Sequence, residues 1–241
     1  MNRRKKVIIA PSLICMDMCN LEEGIREIES AGIEMLHVDI IDGYFSPSMP
    51  LGLGTVEMLR KKTGLPFDVH IMAKDNEFFI NELIDIGVQQ ICFHYESAIH
   101  VNHYLDKIRD SGARAGLALT PSTPVSVLEY AIQKCDFILL MLINPGFARY
   151  AGEKQVPYAR TKIEDAYRFI QRKGLDVAIE IDGRITKDNV EGFVAAGADI
   201  IVAGSSSLFD KAGTLEENFG RIMEAANKGI NRRYDGRDKK V

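Results

Sequence analysis

Short runs rich in apolar and β-branched residues recur along the chain: Val7–Leu13, Met35–Ile40, Phe67–Met72, Gln90–Tyr95, Ala115–Thr120, Phe137–Ile143, Val177–Asp182 and Ile200–Gly204. Longer stretches lie between them, such as Leu21–Ser30 and Ile163–Arg172, with apolar residues at three- and four-residue steps, the spacing of an amphipathic helix. The short runs are nearly continuously apolar, as expected of parallel strands covered on both faces. Ala31-Gly32, Gly87, Gly112-Ala113, Gly174 and Gly197-Ala198 stand where each helix should end and the chain turn toward the next strand. Eight such βα units predict an α/β fold, a single closed (β/α)8 TIM barrel spanning residues 1–241. An open doubly wound sheet would carry a glycine-rich turn after its first strand, and Pro11-Ser12-Leu13-Ile14-Cys15 offers none. The ends, residues 1–6 and 231–241, are polar and charged and read as solvated tails.

Composition narrows the function classes. With 241 residues, 46% of them hydrophobic, the chain can bury a full core without staples. A net charge of −4 provides no general attraction to nucleic acid or to an anionic membrane. No run reaches membrane-spanning length, and Pro11-Ser12 interrupts the basic-then-apolar start before it resembles a secretion signal. Cys15, Cys19, Cys92 and Cys135 are scattered without a second pair at zinc-finger spacing; reduced thiols and a cytoplasmic setting are expected.

Chemistry in such barrels gathers at the C-terminal ends of the strands. Strand two ends in His37-Val38-Asp39-Ile40-Ile41-Asp42-Gly43, strand three in Asp68-Val69-His70-Ile71-Met72, strand seven in Glu180-Ile181-Asp182-Gly183. Side chains alternate faces with period two, so His37 and Asp39 share a face, as do Glu180 and Asp182. With that face inward, His37, Asp39, His70 and Asp182 converge on one rim. Two imidazoles and two carboxylates suit one divalent Zn, Mn, Fe or Co ion and are too nitrogen-rich for Mg or Ca. A lone strand histidine is usually a hydrogen-bonded core residue, which fits His94, and Asp42 before Gly43 fits a turn. Two carboxylates flanking a metal permit inversion at a carbon next to a carbonyl: one removes the proton and the other returns one to the opposite face, with the ion stabilising the enediolate.

Late loops supply an anion site in many barrels. Gly204-Ser205-Ser206-Ser207-Leu208-Phe209 follows strand eight, Gly183 follows strand seven, and Asn144-Pro145-Gly146-Phe147-Ala148 follows strand six.

From Val7 to Met223 the chain resembles the ribulose-phosphate 3-epimerase family, a ribulose-phosphate-binding type of barrel. The matching pieces are Ile9–Leu13, His37–Gly43, Asp68–Met72, Asn144–Ala148, Glu180–Gly183 and Val202–Phe209. SLICMDM near the start and NPGFA most resemble the allulose-6-phosphate 3-epimerases. The resemblance implies metal ligation by His37, Asp39, His70 and Asp182, with Asp39 and Asp182 as catalytic acid and base. It implies substrate contact by Ser12, pocket walls from Met72 and Met141, and phosphate contacts from Gly146, Gly183, Gly204 and Ser205. The implied substrate is a ketose phosphate, ribulose 5-phosphate or allulose 6-phosphate. Barrels of this type often associate, and a homo-oligomer is expected.

Some positions depart from the family pattern. Ile41 stands where methionine is common, Ala148-Arg149-Tyr150 replaces a small pair and glutamine, and Arg184 follows Asp182-Gly183 where glycine is common. Arg149 and Arg184 have three readings: they clamp the substrate's anion, they fill the phosphate pocket so that the substrate differs, or they point to solvent. A non-catalytic or altered-specificity barrel binding another sugar or sugar acid is therefore the alternative function. A lyase or decarboxylase would need an Asp-x-Lys-x-x-Asp strand, and Ile41 occupies the lysine position.

Overall fold

A computed structural model describes residues 6–150 and 152–235. Eight parallel strands form one sheet: β1 (Ile8–Pro11), β2 (Leu36–Ile41), β3 (Phe67–Met72), β4 (Gln90–His94), β5 (Arg114–Leu119), β6 (Phe137–Met141), β7 (Ala178–Asp182) and β8 (Ile200–Ala203). Neighbours in sequence are neighbours in the sheet, β1 pairs with β8, and a bridge between Ser12 and His37 brings β1 to β2. That ring is the TIM barrel the repeating pattern predicts.

Outside it pack α1 (Leu21–Ser30), α2 (Leu53–Arg60), α3 (Asn76–Ile86), α4 (Val101–Asp110), α5 (Ala159–Lys173), α6 (Lys187–Ala196) and α7 (Leu215–Asp235). In α1, Leu21, Ile25 and Ile28 are buried on one stripe, while Glu22 and Glu23 sit in the first turn, where the helix dipole favours negative charge. Gly87 and Gly174 end α3 and α5 in the left-handed conformation anticipated for them. The link from β5 to β6 departs from the regular pattern. It holds the 3-10 turns Val125–Tyr130 and Ile132–Lys134 instead of an α-helix. Pro121 and Pro124 remove backbone donors there, and β-branched Val125 and Val127 add crowding.

Most of the core lies between strands and helices, from Val7 and Ile9 through Ile222 and Ala226. Inside the barrel, Cys92, Ala118, Phe137, Leu139, Met141 and Ile143 form a second cluster. Gly116 makes it feasible: a Cβ there would fall 2.4 Å from the Phe137 ring. A smaller apolar cluster, Ala10, Met35 and Ile200, lies beside a polar set. His37, Asp39, Asp68, His70, Gln90, His94 and Glu180 are all buried, on β2, β3, β4 and β7.

The C-terminal segment differs from the expected tail. Helix α7 continues through residues 231–235, and Arg233 is buried: its Nε donates to Val194 O at 2.6 Å and its Nη1 pairs with Asp199 Oδ1 at 2.8 Å. Charge alone pointed to solvent, yet Ile222, Ala226, Gly229 and Arg233 share one helical stripe, and that spacing decides the outcome. Residues 1–5 and 236–241 of the expected tails lie outside the described residues. Lys6 is exposed and pairs with Glu34. Among the described residues no helix is long and apolar enough to cross a membrane.

Candidate active site and metal centre

Strand register brings the polar residues to common heights. Asp39 on β2 lies beside His70 on β3, His37 beside Asp68, and Met141 on β6 beside Asp182 on β7. One ligand atom from each of His37, Asp39, His70 and Asp182 falls within 4.8 Å of the others. His37 Nε2 is 3.4 Å and His70 Nδ1 is 3.6 Å from Asp39 Oδ1. The sequence predicts this quartet, and the barrel assembles it.

The hydrogen-bond network assigns the tautomers. His37 Nδ1 lies 2.7 Å from Asp68 Oδ2; a carboxylate only accepts, so Nδ1 carries a proton, and in the neutral ring, the form that takes a cation, Nε2 presents the lone pair. His94 Nδ1 lies 3.1 Å from Glu96 Oε2, so His94 donates there and its Nε2 accepts. His70 Nε2, 2.9 Å from His94 Nε2, must then be the donor, and His70 Nδ1 presents its lone pair. Those two lone-pair nitrogens, His37 Nε2 and His70 Nδ1, are buried without a hydrogen-bond partner in the protein. Two orphaned imidazole nitrogens facing two carboxylates are the donor set a divalent transition ion takes, so the residues fit the metal that the sequence implies.

The carboxylates are differentiated. Burial alone would raise Asp39, but the His37 and His70 imidazoles outweigh it and hold the carboxyl well below its usual range. Its Oδ2 also accepts a 2.7 Å bond from Ser12 Oγ. Burial, aided by the Asp39 charge, pushes Asp182 up to about 7. One layer below, burial and the Asp68 charge push Glu180 well above the ordinary carboxyl range, and its Oε1 lies 3.2 Å from His37 Nδ1. Gln90 Nε2 donates to Asp68 Oδ1 at 3.1 Å.

A pocket opens above this cluster. Asp39, Asp182, Ser12, Ile41, Met72 and Met141 line its depth, and Gly146, Gly183, Gly204 and Ser205 are among the residues of its rim. Every residue that the sequence nominates for substrate contact lines this one pocket, and His37 and His70 are fully buried. Gly183 is required where it stands: its φ is +122°, and a Cβ would fall 2.9 Å from Ile143 N. Arg184 follows at φ +48°, where a side chain is strained by about 1–3 kcal/mol. Its Nη2 donates to Ala148 O at 3.1 Å and Tyr150 O at 3.0 Å, which overturns the solvent-pointing reading for this residue. Arg149 lines the pocket and is exposed. Asp42 is the turn residue expected, its Oδ1 accepting from the Tyr44 and Phe45 amides.

Sequence reasoning gave no role to Asp68, Glu180, Gln90 or the His94–Glu96 pair. The period-two rule that placed His70 inward also places Asp68 inward, and His94-x-Glu96 at a strand end was a legible signal. Cys15 was likewise missed as a pocket residue; burial pushes its thiol up.

Comparison with known proteins agrees with this geometry. The model of the ribulose-phosphate 3 epimerase family matches residues 8–209, a span that contains all four candidate ligands. The ribulose-phosphate 3-epimerase of Escherichia coli (strain K12) is 36% identical over 208 residues, 86% of this chain and 91% of that protein. That of Bacillus subtilis (strain 168) is 35% identical over 199 residues, 82% and 90% of the two chains. Among solved structures, the 3-hexulose-6-phosphate synthase of Salmonella typhimurium has a TM-score of 0.66 at 12% identity, covering 92% of this chain and 99% of that one. The orotidine 5'-phosphate decarboxylase of Pyrococcus horikoshii OT3 has 0.64 at 13%, covering 91% and 99%; both likenesses show the fold alone. The family match and the relatives, each spanning most of both chains, establish that this chain belongs to the ribulose-phosphate 3-epimerase family of isomerases.

Proposed function

We propose that the chain catalyses the metal-dependent 3-epimerisation of a ketose phosphate through a cis-enediolate, with Asp39 and Asp182 as the paired acid and base. The observation that carries this reading is the convergence of both carboxylates with two orphaned imidazole nitrogens within 4.8 Å. A divalent Zn, Mn, Fe or Co ion held by His37, Asp39, His70 and Asp182 supplies the positive charge that stabilises the enediolate. The chain's own residues move the proton. Asp182, raised toward neutrality by burial, is suited to exchange a proton with C3 on one face. Asp39, fixed by Ser12 Oγ, serves the opposite face. Each positioned group contributes roughly 10²–10⁴-fold. Ile41, Met72 and Met141 keep water from the planar intermediate. Gly146, Gly183, Gly204 and Ser205 bring backbone amides to the rim for the phosphate.

The names of the curated relatives support a ribulose phosphate, one of them ribulose 5-phosphate, whereas the SLICMDM and NPGFA stretches support allulose 6-phosphate. The free thiols of Cys15, Cys19, Cys92 and Cys135 support a reducing, cytoplasmic setting. The test is solvent exchange: metal-loaded protein in D₂O is given each ketose phosphate, and deuterium at C3 is read by mass spectrometry. Incorporation is expected with at least one of them. Full metal occupancy without exchange on either sugar would overturn the reading and leave a barrel that binds another sugar or sugar acid.

A further inference from the structure

Three features meet at Arg184. It holds a left-handed backbone conformation that other side chains in the described residues avoid, glycine aside. Its Nη2 is fastened to two carbonyls of the loop after β6, Ala148 O and Tyr150 O. Its Nε–H is buried and has no acceptor in the protein. Carbonyl oxygens accept hydrogen bonds without neutralising a guanidinium, and no carboxylate of the described residues pairs with this one. A cation with an unmet buried donor lacks an anion. The side chain lines the same pocket as Gly146, Gly183, Gly204 and Ser205, and Arg149 joins it from the β6 loop.

We propose that Arg184 is a specificity-determining residue that grips the substrate's phosphate. The β6 loop anchors Nη2, and the adjoining Nε–H, which has no acceptor in the protein, is offered to the dianion. A guanidinium fork matches phosphate geometry better than an ammonium does. The strain at Arg184 persists because this placement carries the side chain from β7 across to the β6 loop and into the phosphate pocket. The site therefore selects a phosphorylated ketose over its unphosphorylated counterpart and over an uncharged sugar. This inference rests on the ketose-phosphate reading, and it excludes the alternative in which the arginine fills the pocket and displaces the phosphate.

The experiment compares metal-loaded wild type, Arg184→Gly and Arg184→Lys. Inorganic phosphate is the probe, measured as a competitive inhibitor and by calorimetric titration, alongside the KM and kcat of the ketose phosphate that the wild type exchanges. In Arg184→Gly, phosphate binding should weaken about 10–100-fold, the worth of a charged hydrogen-bonded contact. KM should rise in parallel, and kcat should change less than KM. Arg184→Lys, which keeps charge without the fork, should recover part of the loss. Glycine relieves the left-handed strain, so loss of folding is not expected. A phosphate affinity unchanged in Arg184→Gly overturns the proposal even if turnover falls, because a loop fastening alone would give that pattern. Failure of the underlying reading looks different: the wild type itself places no deuterium at C3.

Discussion

Asp68 touches no substrate in the proposed scheme yet sets the tautomer of His37, a proposed metal ligand. It accepts 2.7 Å from His37 Nδ1 and 3.1 Å from Gln90 Nε2, fully buried. Replacing it with asparagine keeps the shape and removes the charge. An amide can turn either its oxygen or its NH₂ toward His37. In the second orientation Nδ1 becomes an acceptor, and the proton moves to Nε2, where a cation should sit. Even in the first, a neutral acceptor leaves the imidazole a poorer donor to metal. Outer partners of ligating histidines typically matter by 10–100-fold in affinity, about 1.4–2.7 kcal/mol. Stability of the metal-free chain should respond differently. The neutral bond is weaker by about 1 kcal/mol, but a buried charge beside Glu180 disappears, and the two effects offset. For a chain of this size, about 1 kcal/mol moves Tm by about 2–4 °C. Metal Kd is read by competition with a chelating dye, and metal-free Tm by calorimetry after dialysis against EDTA. A Kd within threefold of wild type would refute the reasoning. So would a collapse in metal-free Tm with affinity retained, which would make Asp68 a folding residue only.

Two further outcomes follow from the same geometry. Asp182→Asn should lower C3 exchange by at least 10²–10⁴-fold while leaving metal-free Tm within a few degrees, since burial already disfavours the Asp182 charge; unfolding of that variant would mean the position serves stability. Acid stability should depend on His94. Burial, opposed only in part by Glu96, holds its pKa down to about 4, so the folded state resists the proton that the unfolded chain takes up near 6.5. Stability from this group is therefore present above 6.5 and lost as pH falls toward 4. Urea unfolding of EDTA-treated wild type and His94→Gln should show the gap between them narrowing by about 3 kcal/mol over that range. Parallel profiles would sink the argument.

The alternation of short apolar runs with helical stretches made the barrel legible, because a strand covered on both faces and an amphipathic helix leave different periodicities. The ligand quartet was legible for a related reason: once strands are known, period two fixes which residues face inward. What stayed hidden depended on contacts across the barrel. His94 reads as an ordinary core histidine, and it is hydrogen-bonded in the core, but its partner is His70, 24 positions earlier, and only register on β3 and β4 brings them together. Arg233 reads as tail because composition outweighs spacing in a charged stretch. The missing helix between β5 and β6 follows from Pro121 and Pro124, which were visible in the sequence but were outweighed by the regularity of the repeat.

The buried polar layer under the pocket explains why fold and site are hard to separate in this chain. Both orphaned imidazole nitrogens are aimed by carboxylates, His37 directly by Asp68 and His70 through His94 from Glu96. Glu96 is itself held by the Thr120 amide at the end of β5, 2.8 Å from Oε1. The orientation of His70 on β3 thus depends on β4 and β5, and that of His37 on β2 depends on β3. Each link is a fixed hydrogen bond with a defined donor, so a shift of one strand by a single residue would reverse side-chain faces and break the chain of tautomers. Barrel register, more than any one ligand, is what presents two lone pairs and two carboxylates to the same point.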